Sequence, residues 1–146
     1  MMTDDLTSIL VVDDTAVNIQ VLVQILRKEG GFAISVANDG VQALEQMKLA
    51  KPDIVLLDIM MPEMDGYETC ERMKQDDELK DIPVIFLSAK IETEDVVKAF
   101  ECGGVDYVTK PFNPTELMAR VRTQLDLKWS HDKILQQLVR LSETES

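Results

Sequence analysis

The stretch Val55 to Gly66, VLLDIMMPEMDG, places a carboxylate where a carboxylate is costly. An apolar run that reads as a buried strand ends in Asp58, and two methionines and a proline follow at once. Burying an unpaired carboxylate costs several kcal/mol, a large part of a domain's net stability. A serine or glycine would end a strand without that cost. Asp58 therefore needs compensating groups, and the rest of the chain has to supply them.

Short runs rich in Val, Ile and Leu recur along the chain: Ser8 to Val12, Ala33 to Ala37, Asp53 to Leu57, Pro83 to Ala89 and Val105 to Thr109. Stretches of helical spacing lie between them. Val17, Val21, Leu22, Ile25 and Leu26 share one predicted face; Val41, Leu44, Met47 and Lys48 mark a second helix. Val96, Val97 and Phe100 mark the fourth, and Leu117, Val121 and Leu125 the last. Gly30-Gly31 and Gly103-Gly104 read as helix stops, as does Lys51-Pro52. Asn113 before Pro114 reads as an N-cap followed by proline at the first helical position. Five strands alternating with five helices predict a doubly wound, five-stranded parallel sheet covered on both faces. Such sheets bind ligands at the carboxyl ends of their strands, near the point where strand order reverses.

Those ends are Asp13-Asp14 after the first strand, Asp58 after the third, Ser88 after the fourth and Lys110-Pro111 after the fifth. Singly, each has a plain reading as a cap, a local hydrogen bond or a solvated charge. Together they form one constellation. Three carboxylates in one pocket repel unless a cation joins them, and hard oxygen donors at a partly open site suit Mg²⁺. One carboxylate can then act as a nucleophile toward phosphorus, giving an acyl phosphate. The charge on a transferring phosphoryl group is met by a metal, a lysine and a hydroxyl.

The motifs Ile9 to Asp14 (ILVVDD), Pro52 to Gly66 (PDIVLLDIMMPEMDG), Pro83 to Ala89 (PVIFLSA) and Gly103 to Phe112 (GGVDYVTKPF) resemble the receiver domain of two-component response regulators. The resemblance runs from about Ser8 to Leu125 and implies the flavodoxin-like receiver fold. It implies that Asp58 accepts a phosphoryl group from a histidine kinase or phosphotransfer protein. It further implies Mg²⁺ held by Asp13, Asp14, Asp58 and the Met60 carbonyl, with Ser88 and Lys110 on the phosphoryl oxygens. Ser88 and Tyr107 would form the switch, and Lys110-Pro111 is a candidate cis peptide. Activation would be a population shift expressed on the surface of the fourth helix, fifth strand and fifth helix. Met60 and Lys90, each two residues beyond a site residue, would flank the path of a hydrolytic water. An apolar Met60 cannot orient that water, so slow to moderate self-dephosphorylation is expected.

Rival readings fit less well. A flavodoxin needs a hydroxyl-rich phosphate cradle after the first strand, where this chain has Asp-Asp-Thr-Ala-Val-Asn. A haloacid-dehalogenase-type phosphatase needs an acid two residues after its nucleophile, but Thr15 stands there. A nucleotide-binding fold would show a glycine-rich turn. A phosphorylation-independent adaptor on the same fold would have lost at least one of the five groups, and none is lost. The domain is thus expected to catalyse only its own phosphoryl transfer and dephosphorylation, and not to be an enzyme for an external metabolite.

The composition agrees. A net charge of −12 disfavours direct contact with nucleic acid or anionic membranes. No apolar run is long enough to span a bilayer and no signal peptide is visible, so a cytoplasmic location is expected. Cys70 and Cys102 match no metal or redox spacing. Residues 1–125 form the expected receiver domain, and residues 126–146 a C-terminal helical extension or signalling linker. In that extension Leu127, His131, Ile134, Leu138 and Leu141 recur at alternating gaps of four and three. Its apolar stripe could fold back on its own domain, or the helix could lead to an output domain or a partner chain, a second copy of the protein included.

Overall fold

The structure, a computed structural model, describes residues 6–89 and 92–145. Strands β1 (Thr7–Val12), β2 (Phe32–Ala37), β3 (Ile54–Asp58), β4 (Val84–Ser88) and β5 (Asp106–Thr109) alternate with helices α1 (Ala16–Glu29), α2 (Gly40–Leu49), α3 (Gly66–Lys74), α4 (Thr93–Glu101) and α5 (Pro114–Glu145). All strand pairings are parallel, in the order β2-β1-β3-β4-β5. The order reverses between β1 and β3, which brings the ends of those two strands side by side.

Every residue of β3 and β4 is buried, as expected for strands covered on both faces. Alternation of side chains splits the core in two. Leu10, Val12, Val55, Leu57, Val84 and Phe86 pack with residues of α2, α3 and α4 such as Met47, Cys70, Met73 and Ala99. Ile9, Val11, Ile54, Leu56, Ile85 and Leu87 pack with Leu22 and Leu26 of α1 and Leu117, Val121 and Leu125 of α5. The two thiols belong to the first cluster, where burial pushes Cys70 up to about 11 and Cys102 up to about 12. Both are inert thiols at neutral pH.

The expected helix ends are present. Gly30 closes α1 at φ 78°, and Asn113 Oδ1 accepts the Glu116 N–H at 3.0 Å to open α5. Helix faces depart from the expected pattern in a consistent way. Leu22, Leu26 and Met47 are buried, but Val17, Val21, Val41, Val97 and Phe100 are exposed. Each of the last five lies about 100° or more around its helix from the buried residues, so the apolar stripe is wider than the face that is covered. In α5 the core contacts end at Leu125, and the helix continues without a break through the expected boundary at residue 126.

Candidate phosphoacceptor site

The site is built from strand ends. Asp13 follows β1 and is fully buried, Asp58 ends β3 at 2 % exposure, and Ser88 ends β4 buried; Asp14 is exposed. Parallel register sets Asp58 opposite Leu87 and Ser88 opposite Thr109, so Lys110 leaves β5 beside both. The Lys110 N–H donates to the Ser88 carbonyl at 2.9 Å, and the Lys110-Pro111 peptide is cis. The lysine side chain therefore turns back over the sheet edge. Its Nζ donates to Asp58 Oδ1 at 3.0 Å and lies 3.4 Å from Asp13 Oδ2.

Carboxylate oxygens of Asp13, Asp14 and Asp58 lie within 4.8 Å of one another. Among the described residues this is the only group of three or more such ligands. Asp13 Oδ1 accepts the Thr15 N–H at 2.9 Å, which fixes the carboxylate plane. Its other oxygen, Oδ2, is buried and, among the described residues, without a hydrogen bond. One ammonium near three carboxylates leaves the pocket short of positive charge. Burial pushes the Asp58 carboxyl up to about 6, and Asp13 adds to the rise, against the opposing pull of Lys110. Lys110 itself is held above its usual value: burial acts to lower it, and the hydrogen bond to Asp58 together with the negative charges of Asp58 and Asp13 outweighs that. A buried oxygen with an ion pair but no hydrogen bond, a cluster of hard anionic donors and an open rim together fit a small divalent cation.

The loop from Ile59 to Asp65 shapes the rim. Met61 and Met64 turn into the protein, and Met60 is 61 % exposed at the mouth of the site. The Met64 N–H donates to the Pro62 carbonyl at 2.8 Å around Glu63, which has φ 67°. This tight three-residue turn is a strained geometry for a side-chain-bearing residue. It lets the chain double back so that the Gly66 N–H donates to the Ile59 carbonyl at 2.9 Å. Asp65 caps α3 by accepting the Glu68 N–H at 2.9 Å.

Gly66 is a positional requirement that the reading of strand ends passed over. A Cβ there would lie 2.3 Å from the Asp58 carbonyl oxygen and 2.9 Å from the Ile59 Cα. The glycine immediately before a helical pattern was its only sequence signal. Tyr107, expected as a switch residue, is half-buried; it meets Phe100 edge-on at 6.4 Å, and the Arg120 guanidinium sits 5.8 Å from its ring centre. Arg120 in turn grips both Asp106 oxygens, at 2.9 and 3.0 Å. This clamp between β5 and α5 was not legible in sequence, because Asp106 and Arg120 are fourteen residues apart on different elements. Lys90 lies outside the described residues.

The fold and this pocket match known proteins. The sequence profile of the response regulator receiver domain matches residues 9–122, and the chain belongs to that family. Over 117 residues it is 46 % identical to the DNA-binding response regulator MtrA of Mycobacterium tuberculosis, covering 80 % of this chain and 50 % of MtrA. The chain thus spans about half the length of the curated relatives it matches. Its backbone superposes with a TM-score of 0.79 and 34 % identity on a protein from Chloroflexus aurantiacus described as a response regulator, covering 83 % of this chain and 98 % of that one. It also superposes on the chemotaxis protein CheY4 of Vibrio cholerae, with a TM-score of 0.77, 26 % identity, and coverage of 81 % and 98 %. The expected receiver fold and membership of the two-component response regulator family are therefore shown for this chain. Among the described residues no helix is long and apolar enough to cross a membrane.

Proposed function

We propose that Asp58 is the phosphoacceptor of this receiver and that Asp13, Asp14, Asp58 and the Met60 carbonyl hold Mg²⁺. The observation that carries the reading is the buried Asp58 carboxylate with the Lys110 ammonium 3.0 Å away and two further carboxylates beside it. A bound Mg²⁺ would neutralise the carboxylates and polarise the incoming phosphoryl oxygens. Burial and the Lys110 hydrogen bond hold the Asp58 carboxylate in one orientation at the strand end. One of its oxygens forms the P–O bond as the donor's P–N bond breaks, and the electron pair leaves on the imidazole nitrogen of a histidine kinase or phosphotransfer protein. Lys110 meets the charge on the transferring oxygens, and the Ser88 hydroxyl supplies a further donor. The catalysis is of the domain's own modification.

The switch is read through β5 and α4. Movement of Ser88 toward the phosphoryl group alters the space behind β4 and β5, and Tyr107, lightly held by Phe100 and Arg120, is the side chain able to respond. A few kcal/mol of differential contact suffices to shift the populations. The exposed Val97 and Phe100 then lie on the surface that an output domain or partner would contact. The strongly acidic surface argues that this half of the protein does not itself bind nucleic acid or anionic membranes.

Intact mass after incubation with a small phosphodonor tests the assignment. Wild type is expected to gain one phosphoryl group in Mg²⁺ and none in excess chelator, while Asp58→Asn gains none. An unmodified wild type under every donor would point instead to an adaptor that works without phosphorylation. The lifetime follows from the mouth of the pocket: Met60 offers no group to orient an attacking water. The phosphorylated form is expected to persist for minutes or longer in Mg²⁺ buffer, and decay within seconds, followed by mass, would refute that role.

A further inference from the structure

We infer that Tyr67 is a positioning residue that latches α4 in its resting place and joins it to the phosphoacceptor loop. The link to phosphorylation rests on the reading of Asp58 above; the latch itself does not.

Little else holds α4. Among its described residues Ala99 alone is buried, and Val97 and Phe100 are each 48 % exposed. A helix that buries so few apolar groups opens locally at small cost, and its place depends on its remaining contacts. Those contacts are polar. Along α3, Tyr67, Glu71 and Lys74 form one row at i, i+4 and i+7, and each meets α4 or the turn after it. The Tyr67 hydroxyl donates to the Asp95 carbonyl at 3.4 Å, and the Lys98 ammonium stands 4.5 Å from the centre of its ring. The Cys102 thiol donates to Glu71 Oε1 at 3.2 Å. The Lys74 stem lies against Gly103, where a Cβ would come within 2.6 Å of its Cγ. The two helices therefore run side by side in the same direction on polar rungs, without an interlocked apolar seam.

Tyr67 is the rung nearest the site. Its buried ring packs on Phe86 of β4 with centres 5.6 Å apart, and Phe86 stands two residues before Ser88. Its chain neighbour Gly66 is pressed against the Asp58 carbonyl with no room for a Cβ, and is hydrogen-bonded to Ile59. One side chain thus rests on the strand that ends in Ser88, starts from backbone that touches Asp58, and grips α4 at two points one turn apart. On the opposite flank α4 meets Tyr107 through Phe100. A hydroxyl contact at 3.4 Å and a cation over a ring face are weak and release readily, which suits a latch. When Ser88 draws toward a phosphoryl group, α4 leaves these contacts, and their strength sets how much of the resting state remains.

Hydrogen exchange of the full 146-residue chain, followed by mass on peptides from α4, is the test. Before any phosphodonor is added, Tyr67→Leu is expected to speed exchange within α4 about fivefold or more while α1 and α5 keep wild-type rates. Lys98→Met changes an exposed side chain and leaves the core as it is, and should speed the same segment about two- to fivefold. Tyr67→Phe keeps the ring beneath Lys98 and should stay within about twofold of wild type. With Mg²⁺ and phosphodonor, wild type is expected to approach the rates of resting Tyr67→Leu, and that variant to change little further. The latch would be overturned by α4 exchange that Lys98→Met leaves unchanged, or by rises spread evenly over all helices in both variants, the mark of lost stability alone. A wild type that gains one phosphoryl group with α4 exchange unaltered would overturn the link to Asp58. A wild type that gains none would refute the phosphoacceptor reading instead, and the resting comparison would still decide the latch.

Discussion

Metal-free protein carrying Asp58→Asn is expected to be more stable than wild type at pH 8, by up to about 3 kcal/mol. The folded-state carboxyl lies at about 6, against an ordinary value of 3.8. A raised carboxyl favours folding while it is protonated in the native state. That contribution is fully present below about pH 4 and is lost as the pH rises through 6. Between those values the native state holds a proton that the unfolded chain has released, so stability falls with pH. Asparagine keeps the shape and removes the titration, although Lys110 then has Asp13 alone as its anionic neighbour among the described ion pairs. Urea denaturation in chelator at pH 4.5 and pH 8 measures the effect, as a gap between variant and wild type that widens with pH. A gap of the same size at both values would show that Asp58 is not destabilised by burial. Mg²⁺ should close the gap at pH 8 by stabilising wild type more than the variant.

The second large effect is expected at Gly66, which has no chemistry of its own. Gly66→Ala would gain up to about 1 kcal/mol in helix propensity at the start of α3. Against this, the new methyl meets the Asp58 carbonyl at 2.3 Å and the Ile59 Cα at 2.9 Å. Both are backbone atoms and cannot swing aside as a flexible side chain would. We expect a net loss of roughly 2–4 kcal/mol, and a phosphorylation rate at least about tenfold lower even where the variant remains folded. Thermal melting and the rate of mass gain with a small phosphodonor separate the two effects. A variant as stable and as rapidly modified as wild type would mean that the loop relaxes freely and does not position Asp58.

These two residues also show how differently parts of the protein are written in its sequence. Asp58 was legible because it violates a local rule: an apolar strand should not end in a lone carboxylate, and the violation demanded partners. The partners sit at strand ends, and parallel strands of similar length bring their ends to one edge whatever the intervening helices do. The sheet, its burial on both faces, the helix caps and the gathering of Asp13, Asp58, Ser88 and Lys110 were therefore consequences of periodicity and punctuation. Sequence also revealed the heptad stripe of the extension, since spacing alone defines a helix face.

Tertiary structure decided what depends on distances between elements. It turned Met60 outward and Met61 inward, a choice two adjacent methionines cannot express in sequence. It left Asp13 Oδ2 without a hydrogen bond among the described residues, because Lys110 reaches only one of the two buried carboxylates at 3.0 Å. It clamped Asp106 to Arg120 beside Tyr107, and exposed Val97 and Phe100 where periodicity had suggested burial. A hydrophobic pattern records that one side of a helix is apolar. How far around that side the neighbouring sheet extends is set by packing, and packing alone determined which apolar residues remain available to a partner.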